Sequence, residues 1–430
     1  MSTPAPMRPL SGVRVLDLSR LLPGPFCTMI LSDLGAQVDK LEDPPVGDYL
    51  RLFPPLVSVG SASGTWDVSA RFASINRDKR SLSLDLKNAT ARLAFLRMLP
   101  RYDVLVESFR PGVLDRLGLS LAVLHQHNPR LVVCSITGYG QQGPYRDHAG
   151  HDLNYVALAG VLGLCGANES DPPHVMPIQL ADLGAGALWP AVQILGALRV
   201  AEKTGQGSHL DVSMCEGALS FLIPDLCNRA AGGPPPRRGN ELLTGAKACY
   251  GVYRTADDRF LAVGALEPKF WIAFNTAIGR TPDPADLIDD DARQASVRAE
   301  VQAILRGRTR DAWMAHFSAL GTDVCVEPVL ELDELPTHPL HAARDVFFSI
   351  QPAPEAPAGL AGDSVGQRRV PPVPQVRTPA LPASAIGSVR PPPQLGEHTR
   401  RILQEGGISD AEIDQLVACG AARAAVGSPA

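Results

Sequence analysis

Between residues 13 and 136 the sequence alternates short apolar runs with helix-forming stretches, and this rhythm restricts the fold more than any other feature of the chain. Residues 13–18, 37–42, 103–107 and 130–136 read as strands. Helices are expected over 25–34, 90–99, 112–120 and 121–127. Strands so nearly continuous in Val, Leu and Ile are buried on both faces, and the helices between them are the crossovers that parallel neighbours require. The rhythm therefore predicts an α/β fold around a parallel sheet covered on both faces. In such a sheet, ligands bind at the C-terminal ends of the strands.

Beyond residue 180 the pattern changes. A long apolar helix is expected from Asp182 to about Lys203, interrupted by Pro190, with a helix-like segment over 208–221 and a Gly/Pro/Arg linker over 231–238. Two strands around the turn 255–259, then helices over 268–279, 292–307 and 309–320, predict a second, smaller α/β unit. Residues 352–395 are rich in proline and predict an extended crossing segment or a mobile strap. A helix over 398–406 follows, and Ser409 with Glu412 forms a capping box that opens another. The expected division is 1–205 for the first part of the large domain, 206–238 for a linker helix, 239–330 for the small domain, and 331–430 for a return linker and the rest of the large domain.

The chain has 430 residues and a net charge of -5, so no basic surface invites nucleic acid or an anionic membrane. Its first residues lack a basic stretch leading into an apolar one, which argues against a secretory signal. The apolar run 155–167 is too short and glycine-rich to span a bilayer, so no membrane insertion is expected. Eight scattered cysteines with no C-x-x-C read as buried free thiols of a reducing cytoplasm. The histidines show no metal-ligand spacing, and no metal site is expected.

Chemistry concentrates in two glycine-flexed segments. One is the run from Gly138 to Gly143, followed by Gly150-His151-Asp152-Leu153-Asn154-Tyr155; the other surrounds Asp182. The first run matches G-x-G-x-x-G after a strand. A dinucleotide reading is nevertheless rejected, because Pro144 and polar residues follow where an apolar helix should start, and no strand-ending acid comes at the required distance. A tight ligand-approaching loop is the better reading. His151 and Asp182, each at such a turn, are candidates for a pair of proton-handling groups. Taken singly, each is as readily a hydrogen-bonded structural histidine or a helix cap. Glu267, where a strand gives way to a helix, reads either as an N-terminal helix carboxylate or as the partner that orients a histidine.

These residues resemble the family III CoA-transferase superfamily of the CaiB/BaiF type. The resemblance covers most of the chain: residues 10–18, Gly24-Pro25, residues 33–38, Gly47-Asp48, residues 76–81, Asp85-Leu86-Lys87, Ser108-Phe109-Arg110-Pro111-Gly112 and the Gly138 loop. His151 within Gly150–Tyr155, and Glu267 within residues 264–268, resemble the α-methylacyl-CoA racemase branch. The run 243–250 departs from the racemase pattern, and residues 52–72 look like an addition. The resemblance implies a Rossmann-like large domain plus a smaller α/β domain, assembled as an interlocked homodimer. It implies an acyl-CoA substrate and no cofactor beyond that coenzyme A. His151 and Asp182 would exchange protons with the carbon beside the thioester, Glu267 would hold the imidazole from across the dimer, and backbone N–H groups near Asp152 would face the enolate oxygen. Arg51, Arg77 and Arg110, with Gly150, Asp152 and Tyr155, would contact the CoA thioester. In a transferase the matching aspartate is the nucleophile, so Asp182 alone leaves isomerase and transferase both open.

Overall fold

The structure is a computed structural model; it describes residues 8–61, 64–288, 290–350 and 373–424. By its contacts the chain divides into two units. The larger takes the described residues of Met1–Ala159, Ile178–Ser220 and Pro339–Ala430, and the smaller those of Gly160–Pro177 and Phe221–His338. Residues 206–220 thus belong to the larger unit rather than to a linker, and 160–177 to the smaller.

The larger unit is built on a seven-stranded sheet. Its strands are β1 (Arg14–Asp17), β2 (Gln37–Glu42), β3 (Arg80–Leu84), β4 (Val104–Glu107), β5 (Val132–Thr137), β6 (Ser208–Ser213) and β7 (Ala422–Arg423). They lie in the order β7-β3-β2-β1-β4-β5-β6. All pairs are parallel except β7 against β3. The order 3-2-1-4-5-6 is that of a doubly wound sheet, whose strand order reverses between β1 and β4.

Helices cover both faces. On one, α2 (Ala89–Met98), α3 (Leu121–His127), α7 (Thr399–Glu405) and α8 (Asp410–Ala418) pack Phe95, Leu124, Leu403 and Ile413 against Leu16, Leu82, Leu105 and Val133. Each of these side chains is fully buried, and burial of one such side chain stabilises by about 1.5–3 kcal/mol. The C-terminal segment is therefore core to the sheet that the N-terminal half starts. On the other face lie α1 (Pro23–Asp33) and α5, which is π-helical over Ala181–Leu188 and α-helical over Trp189–Thr204. Pro190 does not interrupt α5. It stands in the first turn of the α-helical part, where a missing N–H is tolerated. Residues 181–204, expected as a long apolar helix, are long and apolar enough to cross a membrane by length and composition. Here they pack on β5, β6 and α1.

Three further expectations change. Residues 208–213 form the edge strand β6, not a helix, and helix begins only at Met214, as α6 (Met214–Leu219) continued by a 3-10 turn at Ser220–Leu222. Residues 56–61 pair antiparallel with 64–69, and Val59 and Val68 share a core with Met29, Leu50 and Phe72, so the segment that looks like an addition is packed into the unit. Of the proline-rich segment, 351–372 lie outside the described residues. The rest is fastened: Val373–Val376 pairs with Phe347–Ile350, and the Pro393 carbonyl accepts from Arg51 Nη1 at 2.9 Å.

The smaller unit has a three-stranded antiparallel sheet, Val326–Pro328, Phe260–Gly264 and Tyr250–Arg254, as its sequence predicts for the last two. Helices Pro268–Ala277, Asp291–Leu305 and Arg310–Ala319 cover it through Trp271, Phe274, Trp313 and Phe317.

Candidate active site

A cleft of about 540 Å³ opens at the C-terminal ends of β1, β4 and β5 in the larger unit. Arg20, Leu21 and Pro23 follow β1 along its wall. Ser108 to Pro111 follow β4, and Thr137 to Tyr139 follow β5. This is the switch point where a doubly wound sheet leaves its loops diverging.

Glycine shapes the floor. A β-carbon on Gly138 would lie 2.4 Å from Tyr155 Cε1, and one on Gly150 would lie 2.7 Å from the same atom. Only glycine at both positions lets the chain wrap the Tyr155 ring. The Tyr155 hydroxyl donates to the Gly150 carbonyl, and the ring meets Tyr139 edge-on at 5.2 Å. Burial, with the charge of Asp182 next in weight, pushes the Tyr155 phenol up to about 12, so it stays a neutral donor.

His151 and Asp182 both line this cleft. His151 is exposed and precedes helix α4 (Asp152–Leu158), its N–H held by Asn154 Oδ1 at 3.0 Å. The N–H groups of Asp152 and Leu153 lie in the first turn of α4, where the helix itself offers no acceptor. Asp182 is half-buried in the first turn of α5. Its N–H donates to Asp152 Oδ1 at 3.0 Å, which brings two carboxylates together. Burial first, and then the charge of Asp152, push the Asp182 carboxyl from an ordinary 3.8 up to about 7. A carboxyl in that range is present in both protonation states at neutral pH, as proton transfer in either direction requires.

The three arginines separate. Arg110 is exposed in the turn after β4 and lines the cleft. Among the described residues it has no carboxylate partner. Arg51 and Arg77 are buried in ion pairs away from the cleft, which corrects the expectation that they contact phosphate. Arg51 is bidentate on Glu42 at 2.8 and 2.7 Å and lies over the Phe72 ring. Arg77 grips Asp33 at 2.6 Å and reaches Gln375 and the Val376 carbonyl. Their donors are spent on neutralising carboxylates and on binding the C-terminal return segment to the N-terminal half.

Two further arginines, not singled out from the sequence, lie beside the Arg110 turn. Gly112 has φ +78°, and a β-carbon there would lie 3.2 Å from Arg146 Nη2 and 3.3 Å from Arg116 Nη1. These two guanidiniums converge beside the Arg110 turn, and among the described residues neither pairs with a carboxylate. Arg146 lines the cleft. The available signal was its place in the polar loop after Gly143. Glu267 is exposed at the N-terminus of helix Pro268–Ala277 in the smaller unit and is not among the residues that line this cleft. Among the described residues no group of three or more His, Cys, Asp or Glu side chains is placed to hold a metal ion. Of the eight cysteines, all free, Cys227 and Cys419 are exposed rather than buried.

A doubly wound sheet with a carboxylate pair, a histidine and unpaired arginines at its switch point describes a site for an anionic ligand with proton or acyl chemistry at one end. Residues 10–399 match the sequence model of CoA-transferase family III, and the chain belongs to that family. It is 35% identical over 412 residues to the α-methylacyl-CoA racemase of Homo sapiens, covering 95% of this chain and 96% of the relative. It is 36% identical over 354 residues to the acetyl-CoA:oxalate CoA-transferase of Acetobacter aceti, covering 81% and 87%. A crystal structure of a CaiB/BaiF family protein from Brucella suis matches with a TM-score of 0.77 at 27% identity, over 93% of this chain and 100% of that one.

Proposed function

We propose that this enzyme inverts the α-carbon of a 2-methylacyl-CoA by two-base proton transfer. The observation that carries the reading is the joint presence in one cleft of His151 and of an Asp182 carboxyl poised at about 7. In one direction His151 takes the proton beside the thioester carbonyl, and protonated Asp182 returns one to the opposite face. In the other direction the roles exchange. Electrons and protons balance: the C–H electron pair passes into the enolate as one base takes the proton, and the enolate re-forms a C–H bond with the proton from the other acid on the opposite face. Backbone N–H groups at the start of α4 face the enolate oxygen. Arg110, Arg116 and Arg146 take the phosphates, whose oxygens suit the guanidinium fork.

Glu267 orients the His151 imidazole from a second copy of the chain. An interlocked homodimer is supported by the uncovered apolar face of α5, where Leu188, Val192 and Val200 are 52%, 57% and 55% exposed. The place of action is the cytoplasm.

A second reading, transfer of CoA between carboxylic acids with Asp182 as nucleophile, is favoured by the 36% identity to the oxalate CoA-transferase. Incubation of a chiral 2-methylacyl-CoA in deuterated water separates the two. Under the first reading deuterium enters the α position and configuration is lost with no acceptor acid present. If CoA passes to an added acid while the α position stays undeuterated, the second reading replaces the first.

A further inference from the structure

The turn between β1 and α1 supplies Arg20, Leu21 and Pro23 to one wall of the cleft. Its backbone and that of the first turn of α1 are held by four charged side chains that do not themselves line the cleft. Asp17 accepts the Ser19 N–H at 2.9 Å, and Lys40 Nζ donates to the Ser19 carbonyl at 2.7 Å. Asp48 accepts the Leu21 N–H on both oxygens, at 3.3 and 3.2 Å. Lys79 Nζ donates to the Pro25 carbonyl at 2.9 Å. The four form two ion pairs, Lys40–Asp48 and Lys79–Asp17, each at 3.1 Å and with all four side chains 0% exposed.

Buried pairs of this kind are weak contributors to stability, since apolar substitutes of the same volume often serve as well. An apolar substitute could not supply what these side chains give, which is bonds to the loop backbone. That backbone needs holding. Leu21 has φ +63°, in the left-handed region that a leucine avoids. Asp48 also accepts the Leu50 N–H at 3.0 Å, next to Tyr49, which lines the cleft as well. Beyond the turn, Pro23 packs on α5: a β-carbon on Gly186 would lie 2.8 Å from Pro23 Cβ. The loop is thus braced against the helix that carries Asp182.

We propose that the Lys40–Asp48 and Lys79–Asp17 pairs are a clamp that fixes the Leu21 turn in its ligand-receiving form before any ligand arrives, so that Asp48 and Lys40 are positioning residues of the cleft. The inference rests on the reading of the cleft as the CoA-binding site. A wall that is set in advance spares the ligand the ordering of the loop, and that gain appears as affinity.

The test uses the full chain, coenzyme A as the titrated probe, and amide hydrogen exchange without ligand. Asp48→Asn keeps an acceptor oxygen and removes the ion pair. It should raise the Kd for coenzyme A about tenfold and speed exchange at the Ser19 and Leu21 amides by about the same factor. Adding Leu21→Gly should bring Kd back to within about threefold of Leu21→Gly alone, because glycine holds a positive φ unaided. A merely structural role for Asp48 would lower Tm without that rescue. Leu21→Ile keeps the volume and every charge, and its branched Cβ resists the left-handed region, so it should raise Kd several-fold even if Asp48→Asn does not fold. A folded Asp48→Asn with Kd within about twofold of wild type, a double variant without rescue, or Leu21→Ile at wild-type affinity overturns the clamp. If the wild type binds no coenzyme A, the reading of the cleft fails, and the exchange rates at Ser19 and Leu21 still decide the clamp.

Discussion

Replacing Asp152 by Asn tests the electrostatics on which the acid–base role of Asp182 rests. The Asp182 carboxyl lies at about 7 against an ordinary 3.8, a rise of about 3 pH units. Burial is the larger cause and the Asp152 charge the smaller. The charge therefore accounts for less than half, at most about 1.5 pH units or about 2 kcal/mol. Asparagine keeps the oxygen that accepts the Asp182 N–H and removes only the charge. Asp182 in Asp152→Asn should consequently titrate between about 5.5 and 6.5, still raised by burial.

The same shift has a stability sign. Unfolded, Asp182 gives up its proton near 4; folded, it keeps it to about 7. Between those values the folded chain binds more protons, so this group's contribution to stability is fully present at low pH and is lost as pH rises through 7. Asp152→Asn should recover part of that loss above pH 7 and none of it below about pH 4. Titration of ¹³C-labelled Asp carboxyls reads the pKa directly, and the pH profile of α-deuterium exchange should move acidwards with it. An unchanged Asp182 titration would mean that the two carboxylates do not interact and that the reasoning from their contact is wrong.

Arg110→Ala and Arg146→Ala should each raise KM for an acyl-CoA about tenfold with little change in kcat, because a phosphate contact remote from the reacting carbon binds ground and transition states alike. Large losses in kcat at constant KM would place these residues in the chemistry instead. Arg77→Met strands Asp33 in the interior and should destabilise the fold by about 3–5 kcal/mol in denaturant titration while leaving KM unchanged; a raised KM at unaltered stability would return Arg77 to the ligand. Asp182→Asn should abolish inversion yet keep proton exchange on the face served by His151, and wild-type enzyme treated with acyl-CoA and then hydroxylamine should carry no modification on the Asp182 peptide. A trapped adduct there would replace the isomerase with the transferase while leaving the fold and the cleft as described.

What the sequence made legible follows from what each residue meets in space. Strands β1, β4 and β5 were readable because their buried positions are mostly apolar, which is the signature of parallel strands covered on both faces; β2 was readable from Val38 and Leu41, although it also buries Asp39, Lys40 and Glu42. β3 carries Arg80, Ser81 and Ser83 into the interior, where Arg80 is paired with Asp39 and Glu405, the Ser81 hydroxyl donates to Glu42, and the Ser83 N–H donates to the Thr399 hydroxyl. Its polarity is neutralised by residues up to several hundred positions away, so no local pattern marks it. β6 is an edge strand of mixed polarity, and its Ser-His-Leu-Asp-Val-Ser sequence has no clear period. In the site, His151 and Asp182 were legible from the glycine-flexed turns at which they stand, Arg110, Gly150 and Tyr155 from the family resemblance, and all five gather in one cleft. Arg51 and Arg77 were misread because a sequence shows that a cation is present and not whether a carboxylate has already taken it. Arg116 and Arg146 were missed because they meet only through the turn at Gly112.

Pairing, rather than charge alone, separates framework from site. The buried cations Lys40, Lys79, Arg51, Arg77 and Arg80 each face a carboxylate at 3.1 Å or less. Opposing charge also keeps Asp17 ionised: burial would raise it, but Lys79 and Lys40 hold it at about 2. Such groups are spent on one another and hold position. Asp182 is different, since burial and Asp152 raise it and no cation acts on it in return. At and beside the cleft, Arg110, Arg116 and Arg146 are cations that pair with no carboxylate among the described residues. An anion with a proton-labile or acyl end fits both imbalances at once, with phosphates neutralising the arginines and the reacting carbon lying against an acid whose charge is free to change. The unpaired charges of the cleft therefore define the ligand that the paired charges beneath it are arranged to receive.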